Sequence, residues 1–157
     1  MGVVFVAAYA SIMTIQALVW DPLAAVPGQS LAQVHAHLLA DGMNVTSDNV
    51  SVIVSAAIGV ALAVGVGVIG LWRRLSLPIM SVMFLALVAL GAVVTFGSGF
   101  ALGMDVAESY GVGGEDHTIW AGVLYTVSLI ALFGLVAVLT VTVIRNSRSG
   151  QAGPLAA

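Results

Sequence analysis

The chain has no cysteine. Disulfides, thiolate metal sites, cysteine nucleophiles and palmitoylation are therefore excluded. Lysine is absent too; the basic residues are Arg73, Arg74, Arg145 and Arg148. Charged residues make up only 7% of the sequence, where a soluble domain carries about 25%. No Asp, Glu, Lys, Arg or His lies within any of the long apolar runs. Ion pumps, proton-coupled carriers and voltage sensors place ionisable groups in such runs, so those classes are disfavoured. The paired broken helices of many secondary transporters are not evident, and neither are phosphate-binding glycine loops. Gly97-Ser98-Gly99 is not a nucleophile elbow, because it sits in an apolar run without a partner base. The first apolar run has no basic residues before it and no clear small-x-small site after it, so it reads as a retained helix rather than a secretory signal.

What is present is apolar side chain. The 157 residues are 61% hydrophobic, with a mean hydropathy of +1.14. Water would not keep such a chain dispersed, but a bilayer would. Four spans are expected, over 3–20, 50–72, 77–103 and 119–144. A helix needs about 20 apolar residues to cross the hydrocarbon core; the last three spans exceed that, and the first is marginal. Asp21-Pro22 is expected to end the first span, because proline disfavours helix in the residue before it.

The charges are partitioned. All four arginines fall between spans two and three or after span four. The seven acidic residues and His35, His37 and His117 all fall in the other two connections, 21–49 and 104–118. The positive-inside rule makes the arginine side cytoplasmic, with both termini there and both of those loops extracytoplasmic. Trp20, Trp72 and Trp120 each mark a span end, where aromatic side chains favour the membrane interface. The arginine-only, Ala/Val/Gly/Leu-rich composition points to the cytoplasmic membrane of a bacterium with a GC-rich genome. The expected fold class is all-α: a polytopic membrane protein with a four-transmembrane-helix bundle over 1–146 and a mobile cytoplasmic tail over 147–157.

One further element is expected in the first outer loop. Ser30 and Gln33 form a capping box, in which the serine oxygen accepts from the Gln33 N–H and the Gln33 side chain reaches back. Leu31, Val34, Leu38 and Leu39 follow at helical spacing, and Gly42 is a stop. This predicts a short amphipathic helix on the outer surface or over the bundle mouth. Asp48 or Asn49 is the expected cap of span two, and Asp116 or Thr118 that of span four.

Span two carries a ladder of small residues four apart: Ser51, Ser55, Gly59, Ala63 and Gly67. A second ladder, Ala57, Ala61 and Gly65, runs beside it. Span three repeats the pattern at Gly91, Thr95, Gly99 and Gly103. Small faces let helix backbones approach closely, which drives helix association in lipid. The ladders are either a helix-packing interface with another subunit or the seam between spans two and three, which a short connection forces together.

The histidines are the main chemical lead. Imidazole binds metal ions and haem, so His35, His37 and His117 are candidate ligands on one side of the membrane. On a helix, however, residues two apart point away from one another, so His35 and His37 would share an ion only in an extended segment. His35 lies near the apolar stripe and reads as a packing residue. Glu115, Asp116 and His117 form the densest polar cluster, which a neighbouring helix N-terminus also explains.

These observations favour a non-catalytic accessory subunit of a larger membrane complex, respiratory or cell-envelope, with other membrane subunits and the lipid bilayer as partners. No enzyme activity, cofactor or nucleic-acid partner is expected. Two alternatives stand beside it: a metal- or haem-binding protein using the outer histidines, and a small homo-oligomeric channel or transporter component.

Overall fold

A computed structural model describes residues 1–151. Among these residues the secondary structure is all helical, with no strand. In chain order the elements are α1 (Gly2–Ile15), a π-helical turn (Gln16–Trp20), α2 (Asp21–Ala25), α3 (Leu31–Ala40), α4 (Val45–Trp72), α5 (Leu77–Tyr110) and α6 (Ile119–Gln151). Four segments are long and apolar enough to cross a membrane: Gly2–Ala25, Val45–Trp72, Leu77–Tyr110 and Ile119–Arg145. The chain is a membrane protein with a four-helix bundle.

The first membrane segment does not stop at Asp21-Pro22. It continues through the π turn into α2, with Pro22 buried. In an α-helix a proline ring strikes the carbonyl four residues back. Here a wider turn precedes the proline, and the Asp21 N–H bonds to the Gln16 carbonyl five residues back. The extra residue accommodates the ring without ending the helix.

The other boundaries also extend past the apolar runs. α4 begins at Val45, and its cap is Asn44, whose side-chain oxygen accepts from the Ser47 N–H at 3.1 Å. Neither Asp48 nor Asn49 has that role; both lie within the helix. α5 runs through Asp105 and Glu108 to Tyr110 and ends where Gly111 turns left-handed at φ +65°. Its 34 residues are about 50 Å long at 1.5 Å per residue, well beyond the ~30 Å hydrocarbon core. α6 includes residues 147–151; the rest of the expected mobile tail lies outside the described residues.

The turn between α4 and α5 is tight. The Leu75 N–H reaches back to the Gly70 carbonyl at 3.0 Å, and Arg74 sits left-handed at φ +49°. That is the arrangement a Schellman-type helix end requires, with arginine where glycine is usual. Gly70 is buried against Met80, and a β-carbon there would collide with the methionine sulfur.

α1 packs chiefly on α4, α4 on α5, and α5 along much of α6. α1 also crosses to α5, but it touches α6 sparingly. One core cluster lies mid-bundle around Val6, Tyr9, Met13, Ala63, Val88, Leu124 and Ala131. The second lies beneath α3, whose Val34 and Leu38 are fully buried against Ala25, Val45, Leu102 and Val106. α3 is therefore a lid on one mouth of the bundle. Its capping box is complete, with the Ser30 N–H donating to Gln33 Oε1 at 2.8 Å and the Gln33 N–H to Ser30 Oγ at 3.3 Å. Gly42 follows at φ +84°. Asp41 accepts from the Ser109 hydroxyl, and Tyr110 donates to Gln29 Oε1 at 2.8 Å, fastening the lid region to α5.

Candidate functional site

In the first membrane segment the buried Tyr9 and Gln16 and the half-buried Asp21 form a column on one face. Tyr9 and Gln16 are seven residues apart, which brings them to the same side of an α-helix. Five further residues would turn an α-helix about 140° past that face. The π turn removes much of this rotation, so Asp21 also faces inward and lines the same small cavity as Gln16.

Tyr9 is the centre of the bundle. Its hydroxyl lies 3.0 Å from Thr95 Oγ1, 2.9 Å from Ser128 Oγ and 3.4 Å from the Leu124 carbonyl. Thr95 also donates to the Gly91 carbonyl at 2.8 Å, and Ser128 to the Val88 carbonyl at 2.8 Å. Each hydroxyl has one proton, so three protons serve these five contacts. The knot links α1, α5 and α6. Glycine is needed at position 91, because a β-carbon there would stand 2.7 Å from the Tyr9 ring. Thr95 lies one turn further along the same face.

Asp21 holds the start of α6. The His117 N–H donates to Asp21 Oδ1 at 2.7 Å, and His117 Nδ1 stands 3.9 Å from Oδ2. The polar anchor at this helix start thus comes from another membrane segment, not from Thr118, whose buried hydroxyl has no partner. Trp20 stacks on Trp120 with ring centroids 5.2 Å apart. Tyr125 donates to Asp116 Oδ2 at 3.4 Å. Between Asp21, His117, Gln16 and Gly99 lies a space of about 10 Å3, about the minimum for one water molecule.

The three candidate histidines fall in different settings. His35 is half-buried, with Nε2 enclosed and unpartnered. His37 is exposed, lies against the Tyr110 ring at 4.4 Å and stands 3.6 Å from Asp41. His117 belongs to the Asp21 contact. Among the described residues no three His, Asp or Glu side chains are grouped as a metal ion requires.

Within the first ladder, Ala63 is fully buried in the central cluster. Gly67 faces α1, where a β-carbon would come 3.2 Å from Val3. Ser55 and Gly59 line a cleft with Tyr9, Met13 and Gly91, and Ser51 is exposed. Gly91 and Thr95 receive Tyr9, and Gly99 lines the small cavity beside Gln16. In the second ladder Ala57 and Ala61 are exposed, and Gly65 has no atom within 4 Å of where a β-carbon would stand.

Sequence reasoning missed the Tyr9, Thr95 and Ser128 knot and the Asp21 anchor. The usable signal was hydroxyls in three otherwise apolar spans, with a glycine one turn from one of them. The chemistry of the arrangement is that of fastening: hydroxyls and a carboxylate fix the helices relative to one another. Comparison with protein-family models, curated proteins and solved structures finds no match.

Proposed function

We propose that the chain is a non-catalytic accessory subunit of a larger membrane complex. The observation that carries this is the division of α4 into two small-residue faces. The face containing Ala63 and Gly67 is turned into the bundle, while Ala57 and Ala61 stand exposed beside Gly65. A smooth outer face of this kind suits close approach by a helix of another subunit. The interior supports the same reading, since its polar groups fasten helices instead of lining a path. On the positive-inside rule the arginine end faces the cytoplasm and the α3 lid faces outward, as in a bacterial inner membrane.

The test is gentle extraction from native membranes, native-gel separation and mass spectrometry of the band, with an absorbance spectrum of the same sample. Co-migration with a larger complex in fixed ratio, lost on Ala61→Leu, is the expected result. A small band that leaves every complex unchanged when the gene is deleted overturns the proposal. A Soret band or bound metal would transfer the function to His35, His37 or His117. Solute flux in proteoliposomes would transfer it to a homo-oligomeric channel.

A further inference from the structure

The bundle closes unevenly, and the gap has a definite shape. α1 and α6 both rest on α5, but a trough of about 1060 Å3 separates residues 1–8 from residues 127–134. Its walls include Phe5 and Ala8 of α1 and Ile130 and Gly134 of α6; its floor includes Phe84 and Leu85 of α5. Among the described residues, Ser81 is the only one with a polar side chain that lines it.

The two ends of the trough differ. At mid-bundle it stops, because Tyr9 bonds across to Ser128 and draws α1 onto α6. At the arginine end it adjoins a second cleft of about 410 Å3, which shares Leu77 and Ser81 with it and is also lined by Thr142 and Arg145. Arg145 is the first charged residue of α6, and a basic residue after an apolar span marks the headgroup side.

Length identifies the occupant. The α5 residues that line the trough run from Leu77 to Val88, about 17 Å at 1.5 Å per residue. That is roughly half of a ~30 Å hydrocarbon core, the depth of one leaflet. A partner transmembrane helix crosses the whole core and would meet the Tyr9–Ser128 closure halfway. An acyl chain from one leaflet ends there. The headgroup above it would lie beside Arg145 and Thr142. Arg145 already makes a contact within the chain, but a guanidinium has five donors and can engage a phosphate as well. Basic pockets between membrane helices bind anionic headgroups in this manner.

We infer that the trough between α1 and α6 is a binding site for one anionic phospholipid, with an acyl chain against Phe84 and Leu85 and its phosphate at Arg145. The site lies away from the exposed Ala57 and Ala61 face of α4, so it stands or falls independently of the subunit proposal.

The experiment is native mass spectrometry of the full chain released from nanodiscs of mixed phosphatidylglycerol and phosphatidylcholine. The wild type is expected to retain one phosphatidylglycerol at least tenfold in preference to phosphatidylcholine. Ala8→Trp fills the trough and should abolish retention; Ile130→Trp on the opposite wall repeats the test if the first variant misfolds. Arg145→Gln should leave a lipid bound and bring the preference for phosphatidylglycerol close to one. Far-UV circular dichroism and a single elution peak establish that each variant is folded. Equal retention of the two lipids by the wild type overturns the inference, as does retention unchanged by both wall variants. A doubled mass that Ala8→Trp prevents would assign the trough to a second copy of the chain and overturn it equally.

Discussion

At the end of the bundle covered by α3, helices are joined by directional contacts. Asp21 holds the His117 N–H, Trp20 stacks on Trp120, Tyr110 reaches Gln29 and Ser109 reaches Asp41. At the arginine end, α1, α4 and α5 meet through glycines and apolar side chains: Gly67 against Val3, Gly2 against Phe84 and Gly70 against Met80. In lipid, apolar surface gives little preference for one helix neighbour over another, because the lipid tails are equally apolar. Directional polar contacts therefore fix the helices at the α3 end, and the shape of glycine surfaces does so at the other. The Tyr9 knot is the boundary between these regimes, and α1 and α6 part just beyond it.

The largest way to break this contrast is to remove the boundary. Tyr9→Ala deletes a buried aromatic ring and all its hydroxyl contacts, and is expected to cost about 3–5 kcal/mol. Thermal unfolding in mild detergent, followed by far-UV circular dichroism, measures the loss. The trough should also lengthen past mid-bundle, seen as faster modification of a cysteine placed at Ser128 by a lipid-soluble maleimide.

Gly91→Ala attacks the same place from the opposite helix and should cost less. The added methyl would stand 2.7 Å from the Tyr9 ring, so the ring or α5 must shift; such overpacking typically costs about 1–3 kcal/mol. Gly59→Ala is the control, since nothing lies within 4 Å of where its β-carbon would stand. Near-equal melting temperatures for the two variants would show that Tyr9 does not occupy the space beside Gly91.

The membrane class and the four spans were legible because hydropathy and charge sidedness are properties of single segments. The capping box of α3 was legible because Ser30 and Gln33 are only three residues apart. The Asp21 anchor was not legible, because its partner is the backbone N–H of His117, which any residue there would supply. Nor was the continuation through Pro22, since proline ordinarily signals an end and only the π turn removes the conflict. The first segment is marginal by its length, and Tyr9, Ser11, Thr14 and Gln16 lie in its apolar run. It is the most enclosed of the four, 33% buried over its most apolar window against 11% for each of the others. Tyr9 and Gln16 are the polar residues that signal contact with protein in place of lipid, while Ser11 and Thr14 bond back to carbonyls of their own helix.

Asp21→Ala sharpens the comparison at the α3 end. Loss of a helix-start acceptor usually costs about 0.5–2 kcal/mol. The change should be local: the near-UV circular dichroism of the Trp20 and Trp120 pair should fall, while the fluorescence of a probe at Leu77 stays unchanged. Asp21→Asn keeps an acceptor and should retain most of the signal. If Asp21→Ala leaves the tryptophan signal intact, the stack holds this end and the carboxylate is secondary.

The smallest effect is expected from Tyr9→Phe, and it separates the ring from the hydroxyl. Thr95 and Ser128 keep their own bonds to the Gly91 and Val88 carbonyls when the phenol oxygen is removed. No proton is stranded, and only the Tyr9 bond is lost. Interhelical hydrogen bonds of this kind in membranes average about 0.6 kcal/mol. Tyr9→Phe should therefore fall several-fold below Tyr9→Ala in the same melting experiment. A double-mutant cycle of Tyr9→Phe with Ser128→Ala isolates the bond itself. A coupling near zero would mean that the ring wedged against Gly91 closes the trough, and that the contrast between the two ends arises from packing alone.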